Sequence, residues 1–125
     1  MRATQSKTNI QCVTEASFES EVSQSGKPVL ALFWAPWSRP CHVIDSVLAD
    51  VEAACAGSAK ILKVNADDHP YLSLRYDVQF VPTLLCFASG QLREKLVGTT
   101  SKEAILSLLR RHRDTSLGQA SANKD

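Results

Sequence analysis

The feature that most constrains this chain is an unbroken apolar run, Val29-Leu30-Ala31-Leu32-Phe33-Trp34, opened by Pro28 and followed by Pro36. A strand with one wet face alternates apolar and polar residues, whereas a continuous run needs cover on both faces. The run is far too short for a membrane-spanning helix, which takes about 20 apolar residues. It therefore predicts a central strand with helices packed on either side. With 125 residues, the chain has room for one hydrophobic core and one domain.

The patterns around that run alternate between extended and helical periods. Ile10 to Val13 reads as a short strand, and Thr14 can cap a helix carrying Phe18 and Val22. Ser25-Gly26-Lys27-Pro28 ends that helix. Beyond the run, Ile44, Val47, Leu48, Val51 and Cys55 recur at helical spacing, and Gly57 is expected to close the helix. Lys60 to Val64 alternates as a strand, and Asp67-Asp68-His69-Pro70 starts a short helix around Leu72 to Tyr76. Thr83 to Phe87 and Gln91 to Val97 read as strands joined by a tight turn at Ser89-Gly90. Ser101 caps a last helix with Ile105, Leu108 and Leu109 inward. Its end is expected at Arg110-Arg111-His112-Arg113, where cations suit the helix dipole. The order β-α-β-α-β-α-β-β-α implies an α/β fold: a central mixed sheet, mostly parallel, with a β-hairpin at one end and helices on both faces. Residues 1–8 and 115–125 are polar and small, and are expected to be a disordered N-terminal tail and a flexible C-terminal tail around a domain at 9–114.

Charge excludes some partners. Fourteen Lys and Arg against thirteen Asp and Glu leave +1, with no basic stripe for nucleic acid and no polybasic anchor for a membrane. The first ten residues carry no signal-type apolar stretch, so a soluble, cytoplasmic monomer is expected. Cys12, Cys41, Cys55 and Cys86 form no CxxC pair and no Cys/His spacing suited to zinc. Reduced thiols, no metal and no cofactor are the expectation.

The element order, with Phe33-Trp34-Ala35-Pro36-Trp37-Ser38-Arg39-Pro40-Cys41 leaving the central strand, resembles the thioredoxin family. Phe33-Trp34-Ala35, Trp37 and Pro40-Cys41 are similar to that family's FWAxWCGPC. Lys63-Val64-Asn65 with Asp67, Val81-Pro82-Thr83, and Phe87, Gly90 and Val97-Gly98 match further marks along roughly residues 10–112. The resemblance implies a thioredoxin fold, thiol–disulfide exchange on protein substrates, and a cis bond before Pro82. It also implies an apolar groove of Trp37, Pro40, Val81, Pro82, Gly98 and Thr99, in which a client lies in extended form. A thioredoxin-reductase-type donor or glutathione would then be the redox partner.

The departures bear on the chemistry. Ser38 stands where the family has its nucleophilic cysteine, natively or through an engineered Cys-to-Ser change, and Arg39 replaces the motif glycine. Exchange needs one thiolate to attack a disulfide and a second thiol to resolve the mixed disulfide. With Cys41 as the only motif sulfur, two-cysteine turnover is absent, and Ser38 reads as a helix N-cap. Cys41 is either a lone redox thiol or a half-buried remnant. Arg39 sits in the exposed turn, where it can attract acidic groups, and His42 belongs on the solvated helix face. Leu32 replaces the family's buried acid, which leaves Lys63 in need of another partner. The alternative function is a non-catalytic peptide-binding module or chaperone using the same groove.

Overall fold

The computed structural model describes residues 10–117, with side chains described for 10–112. Nine elements follow one another: β1 (Ile10–Cys12), α1 (Glu15–Ser23), β2 (Val29–Trp34), α2 (Arg39–Cys55), β3 (Lys60–Asn65), α3 (Pro70–Arg75), β4 (Thr83–Ala88), β5 (Gln91–Val97) and α4 (Lys102–Leu117). The strands form one sheet in the order β1-β3-β2-β4-β5. β2 lies parallel to β3 and antiparallel to β4, while β1 and β5 are the edges. The α/β architecture expected from the sequence is the one observed.

Because successive strand residues face opposite sides, β2 feeds two cores. Leu30 and Leu32 join Ile61, Leu84 and Cys86 beneath Ile44, Leu48 and Val51 of α2 and Ile105, Leu108 and Leu109 of α4. Val29, Ala31 and Phe33 join Leu62, Val64, Leu85 and Phe87 beneath Phe18 and Val22 of α1 and Leu72 of α3. Phe18 is fully buried and is the hub of the second core. Its ring lies 6.3 Å from Phe33, 5.8 Å from Phe87 and 5.5 Å from Tyr76.

Local chemistry sets the helix ends. Thr14 caps α1 through a reciprocal pair, its hydroxyl accepting from Ser17 N–H while Ser17 Oγ accepts from Thr14 N–H. Salt bridges tie Glu21 to Lys60 at 2.7 Å and Glu19 to Arg75 at 2.9 Å, so α1 is pinned to β3 and α3.

Two expected ends differ. α2 ends at Cys55, the last residue of its apolar stripe, but the first left-handed residue is Ala56 (φ 51°), with Gly57 following at φ 87°. Gly57 thus continues the turn rather than opening it. α4 continues to Leu117, past the basic cluster expected at its end and past 114. Arg111 and His112 instead reach across to Glu94 of β5, both at 2.8 Å. The bonds from Arg111 and then His112 hold the Glu94 carboxyl below its ordinary range. Tail residues 1–8 and 118–125 lie outside the described residues.

Truncating Phe18 to alanine removes the ring at the centre of three aromatic contacts. The expected cost is about 3–5 kcal/mol of unfolding free energy, read as a lower urea midpoint. An unchanged midpoint would show that the second core does not depend on this ring.

Candidate functional site

The site grows out of the C-terminal end of β2. The chain leaves the sheet at Trp34, turns through Ala35, Pro36 and Trp37, and enters α2. Ser38 N–H donates to Ala35 C=O at 3.1 Å and closes that turn. Ser38 itself is extended (φ −93°, ψ 116°) and is the N-cap of α2, its hydroxyl accepting from Cys41 N–H at 3.4 Å. Serine is among the best caps because its oxygen satisfies one of the helix's unpaired N–H groups.

Both motif side chains are withdrawn from solvent: Ser38 is 4% exposed and Cys41 2%. Arg39 and Pro40, the first two helical residues, are exposed. Proline at such a position leaves no hydrogen bond unmade. His42 is exposed, and its Nε2 lies 3.0 Å from Pro36 C=O, which ties the ring to the motif turn. This matches the solvated placement expected for it.

Trp37 is 70% exposed, yet it is not loose. Its indole N–H donates to Asp67 Oδ2 at 2.9 Å. Asp67 is in turn set by Asn65 at the end of β3, whose Oδ1 accepts from Asp67 N–H at 2.9 Å and Asp68 N–H at 3.3 Å. A polar turn thus fixes the angle of an exposed aromatic ring.

The second wall comes from the segment before β4. The Val81–Pro82 peptide bond is cis. Thr83 Oγ1 donates to Phe80 C=O at 2.6 Å, and Gly98 N–H donates to Pro82 C=O at 2.8 Å. Gly98 sits at φ 91°, a conformation that costs glycine nothing. Between these engaged carbonyls, no described residue pairs with Val81 N–H or C=O. Trp37 and Val81 line one groove of about 410 Å³ together with Ala35, Ala66, Asp67, Val78, Gln79 and Phe80. A second, more open recess of about 860 Å³ is lined by Trp37 with Arg39, His42 and Val43. The structure therefore brings Trp37 and Val81 together and sets Pro82 against Gly98. Pro40 and Thr99 are exposed and line neither recess.

Sequence reasoning passed over Phe80 and Asp67 as site residues and Asp45 as a partner. Lys63 stands in register with Leu32, whose side chain is fully buried and apolar. Its ammonium pairs with Asp45 Oδ1 of α2 at 2.7 Å and lies 4.6 Å from the centre of the Trp34 ring. The signal was present: Lys63 shares the parity of Ile61 on β3, and so faces α2. For Phe80 the signal was an aromatic beside Val81-Pro82.

None of the four cysteines is in a disulfide. Cys12 is exposed on β1 and Cys55 half-buried at the end of α2, while burial pushes the Cys86 thiol up to about 12. Among the described residues, no three His, Cys, Asp or Glu side chains converge as a metal site. No described helix is long and apolar enough to cross a membrane.

A five-stranded mixed sheet with a helix capped at its central strand's exit, and a cis-proline segment beside it, defines the thioredoxin class of α/β proteins. The thioredoxin family model matches residues 9–111. Thioredoxin of Pyropia yezoensis is 35% identical over 100 residues, covering 80% of this chain and 94% of that protein. Thioredoxin 1 of a Nostoc species is 36% identical over the same shares. A mutant thioredoxin from Halobacterium salinarum superimposes with a TM-score of 0.77 at 28% identity, covering 84% of this chain and 91% of that one. This chain belongs to the thioredoxin family.

Replacing Ser38 by alanine removes the cap but no buried bulk. We expect a loss of about 0.5–1 kcal/mol, the low end for N-caps, because the bond is long. Cys41 N–H also donates to Ser38 C=O at 3.2 Å, so urea unfolding measures what the hydroxyl adds to that bond, and a neutral change would mean that the carbonyl alone suffices.

Proposed function

We propose that this chain is a thioredoxin-family protein that handles protein thiols without two-cysteine reductase turnover, and that it holds clients in extended form. The observation that carries the reading is the replacement of the motif's first thiol by a hydroxyl engaged in capping α2. A serine hydroxyl forms no disulfide, and Cys41 lacks a motif partner to resolve a mixed disulfide. Trp37, Arg39, Pro40, Val81, Pro82, Gly98 and Thr99 form the client-facing surface in this reading, and Val81's unpaired backbone offers strand-type hydrogen bonds. Cys41 is the one motif thiol available to glutathione or a client thiol. A protein of this kind needs no cofactor and works as a soluble cytoplasmic monomer.

The second reading, a non-catalytic peptide-binding module or chaperone, gains from the burial of Cys41 at 2% exposure. A thiol so enclosed meets an external disulfide only when the motif turn opens.

Insulin reduction with dithiothreitol separates the possibilities. The protein is expected to match the thiol blank, and Cys41→Ser to change nothing. Ser38→Cys is expected to form one disulfide to Cys41 and to reduce insulin, because the helix N-terminus stabilises a thiolate at that position. Arg39 adds to that effect. Turnover should stay slow, since Leu32 supplies no carboxylate to accept the Cys41 proton. Turnover by the unmodified protein that Cys41→Ser abolishes would contradict this reading. A folded Ser38→Cys protein without the disulfide would favour the binding module.

A further inference from the structure

The motif opens α2, and at the other end of the same helix lies a cavity of about 150 Å³. Its walls come from three places. Ala54 and Cys55 close α2, Ser58 and Ala59 lead into β3, and Leu106 and Leu109 belong to α4. One and two turns earlier on α2, Val51 and Leu48 share the first core with Ile105 and Leu108 of α4. At the cavity the residues from α2 and the segment before β3 are small, so the space facing the two leucines is not filled.

Among the described residues the lining holds one charged side chain, Arg110. The next residues of α4 are committed elsewhere, Arg111 and His112 to Glu94. Arg110 has no hydrogen bond or ion pair within the described residues. Carbonyls at the end of α2 do not claim it. Glu52 C=O accepts from Ala56 N–H at 3.1 Å, Cys55 C=O from Ser58 N–H at 3.0 Å, and Gly57 C=O from the Lys27 ammonium at 2.6 Å. A guanidinium at the edge of an apolar space is left without an anion.

We propose that this cavity binds a small carboxylate with a compact apolar body, of the size of benzoate, its body among Ala54, Ala59, Leu106 and Leu109 and its carboxylate on Arg110. A space of about 150 Å³ takes one ring-sized body. Nucleotides and longer peptides need pockets of roughly 300 Å³ or more. A planar guanidinium takes a carboxylate through two parallel bonds, and one cation matches one negative charge better than a dianionic phosphate. None of the lining residues belongs to the motif turn or the cis-proline segment, so the proposal stands apart from the chemistry of Ser38 and Cys41.

The cavity carries its own reporter. Cys55 lines it and is half-buried, whereas Cys12 is exposed on β1 and lies outside the lining. The test follows alkylation of each cysteine by iodoacetamide with mass spectrometry, in the presence of benzoate, benzyl alcohol or acetate. Benzoate should slow Cys55 with half-protection at about 1 mM, the affinity of a ligand this small, and should leave Cys12 unchanged. Benzyl alcohol keeps the ring and acetate keeps the charge; each should need about tenfold more for the same protection. Arg110→Met, at an exposed position, should bring benzoate down to the level of benzyl alcohol. The urea midpoint gives a second reading without the thiol: benzoate should raise it, and Arg110→Met should shrink the rise to that given by benzyl alcohol. Equal slowing of Cys12 and Cys55, or no protection and no midpoint shift, overturns the site. Benzyl alcohol matching benzoate, or an unchanged benzoate preference in Arg110→Met, overturns it as well.

Discussion

The functional end of this molecule depends on β2 having neither a free face nor a free edge. Its two faces feed opposite cores, and its two edges are taken by β3 and β4. Such a strand can deliver side chains to the surface only where it ends, and α2 begins a few residues beyond that end. A helix start brings a set of unpaired N–H groups, and those groups need an oxygen. Ser38 supplies it. The helix start, the position that most favours a thiolate in this fold, is therefore occupied by a hydroxyl that caps the helix.

The same strand explains the electrostatics behind the motif. Leu32 is sealed in the core beneath α2, so no carboxylate stands beside Lys63 within the sheet. A lysine left unpaired there would be costly. The chain answers with Asp45 on α2 and with the face of the Trp34 ring, which together hold the ammonium near the protein surface. The negative charge lies on the helix at a half-exposed residue rather than deep in the sheet. Proton transfer to or from Cys41 consequently has no buried carboxylate at the strand to use.

Most of the architecture was legible because it rests on period and punctuation. The six-residue run of β2, the 3.6-residue stripe of α2 and the Ser89-Gly90 turn each have one reading in a chain of this size. The ends of α2 and α4 were less legible. Glycine was the expected helix stop, but an alanine took the left-handed position. The basic cluster suited a helix end, whereas Arg111 and His112 turn sideways to Glu94. At α4 a tertiary contact overrides the local preference. At the site, the motif residues were legible from their spacing on the chain. Asp67, Phe80 and Asp45 were harder to read: strand parity turns Lys63 toward α2 and Phe80 adjoins Val81-Pro82, but the particular residue each meets is distant in sequence and is brought near only by the folded sheet.

The central claim is that Cys41 is a single thiol with no resolving partner in the chain. Its most direct measurement is disulfide mapping by mass spectrometry after diamide treatment and acid quench, with unreacted thiols blocked before digestion. The account expects Cys41 as a free thiol or as an adduct with an added small thiol, and no internal disulfide. A bond from Cys41 to Cys12, Cys55 or Cys86 in the folded monomer would contradict it, for the chain would then hold a resolving thiol outside the motif.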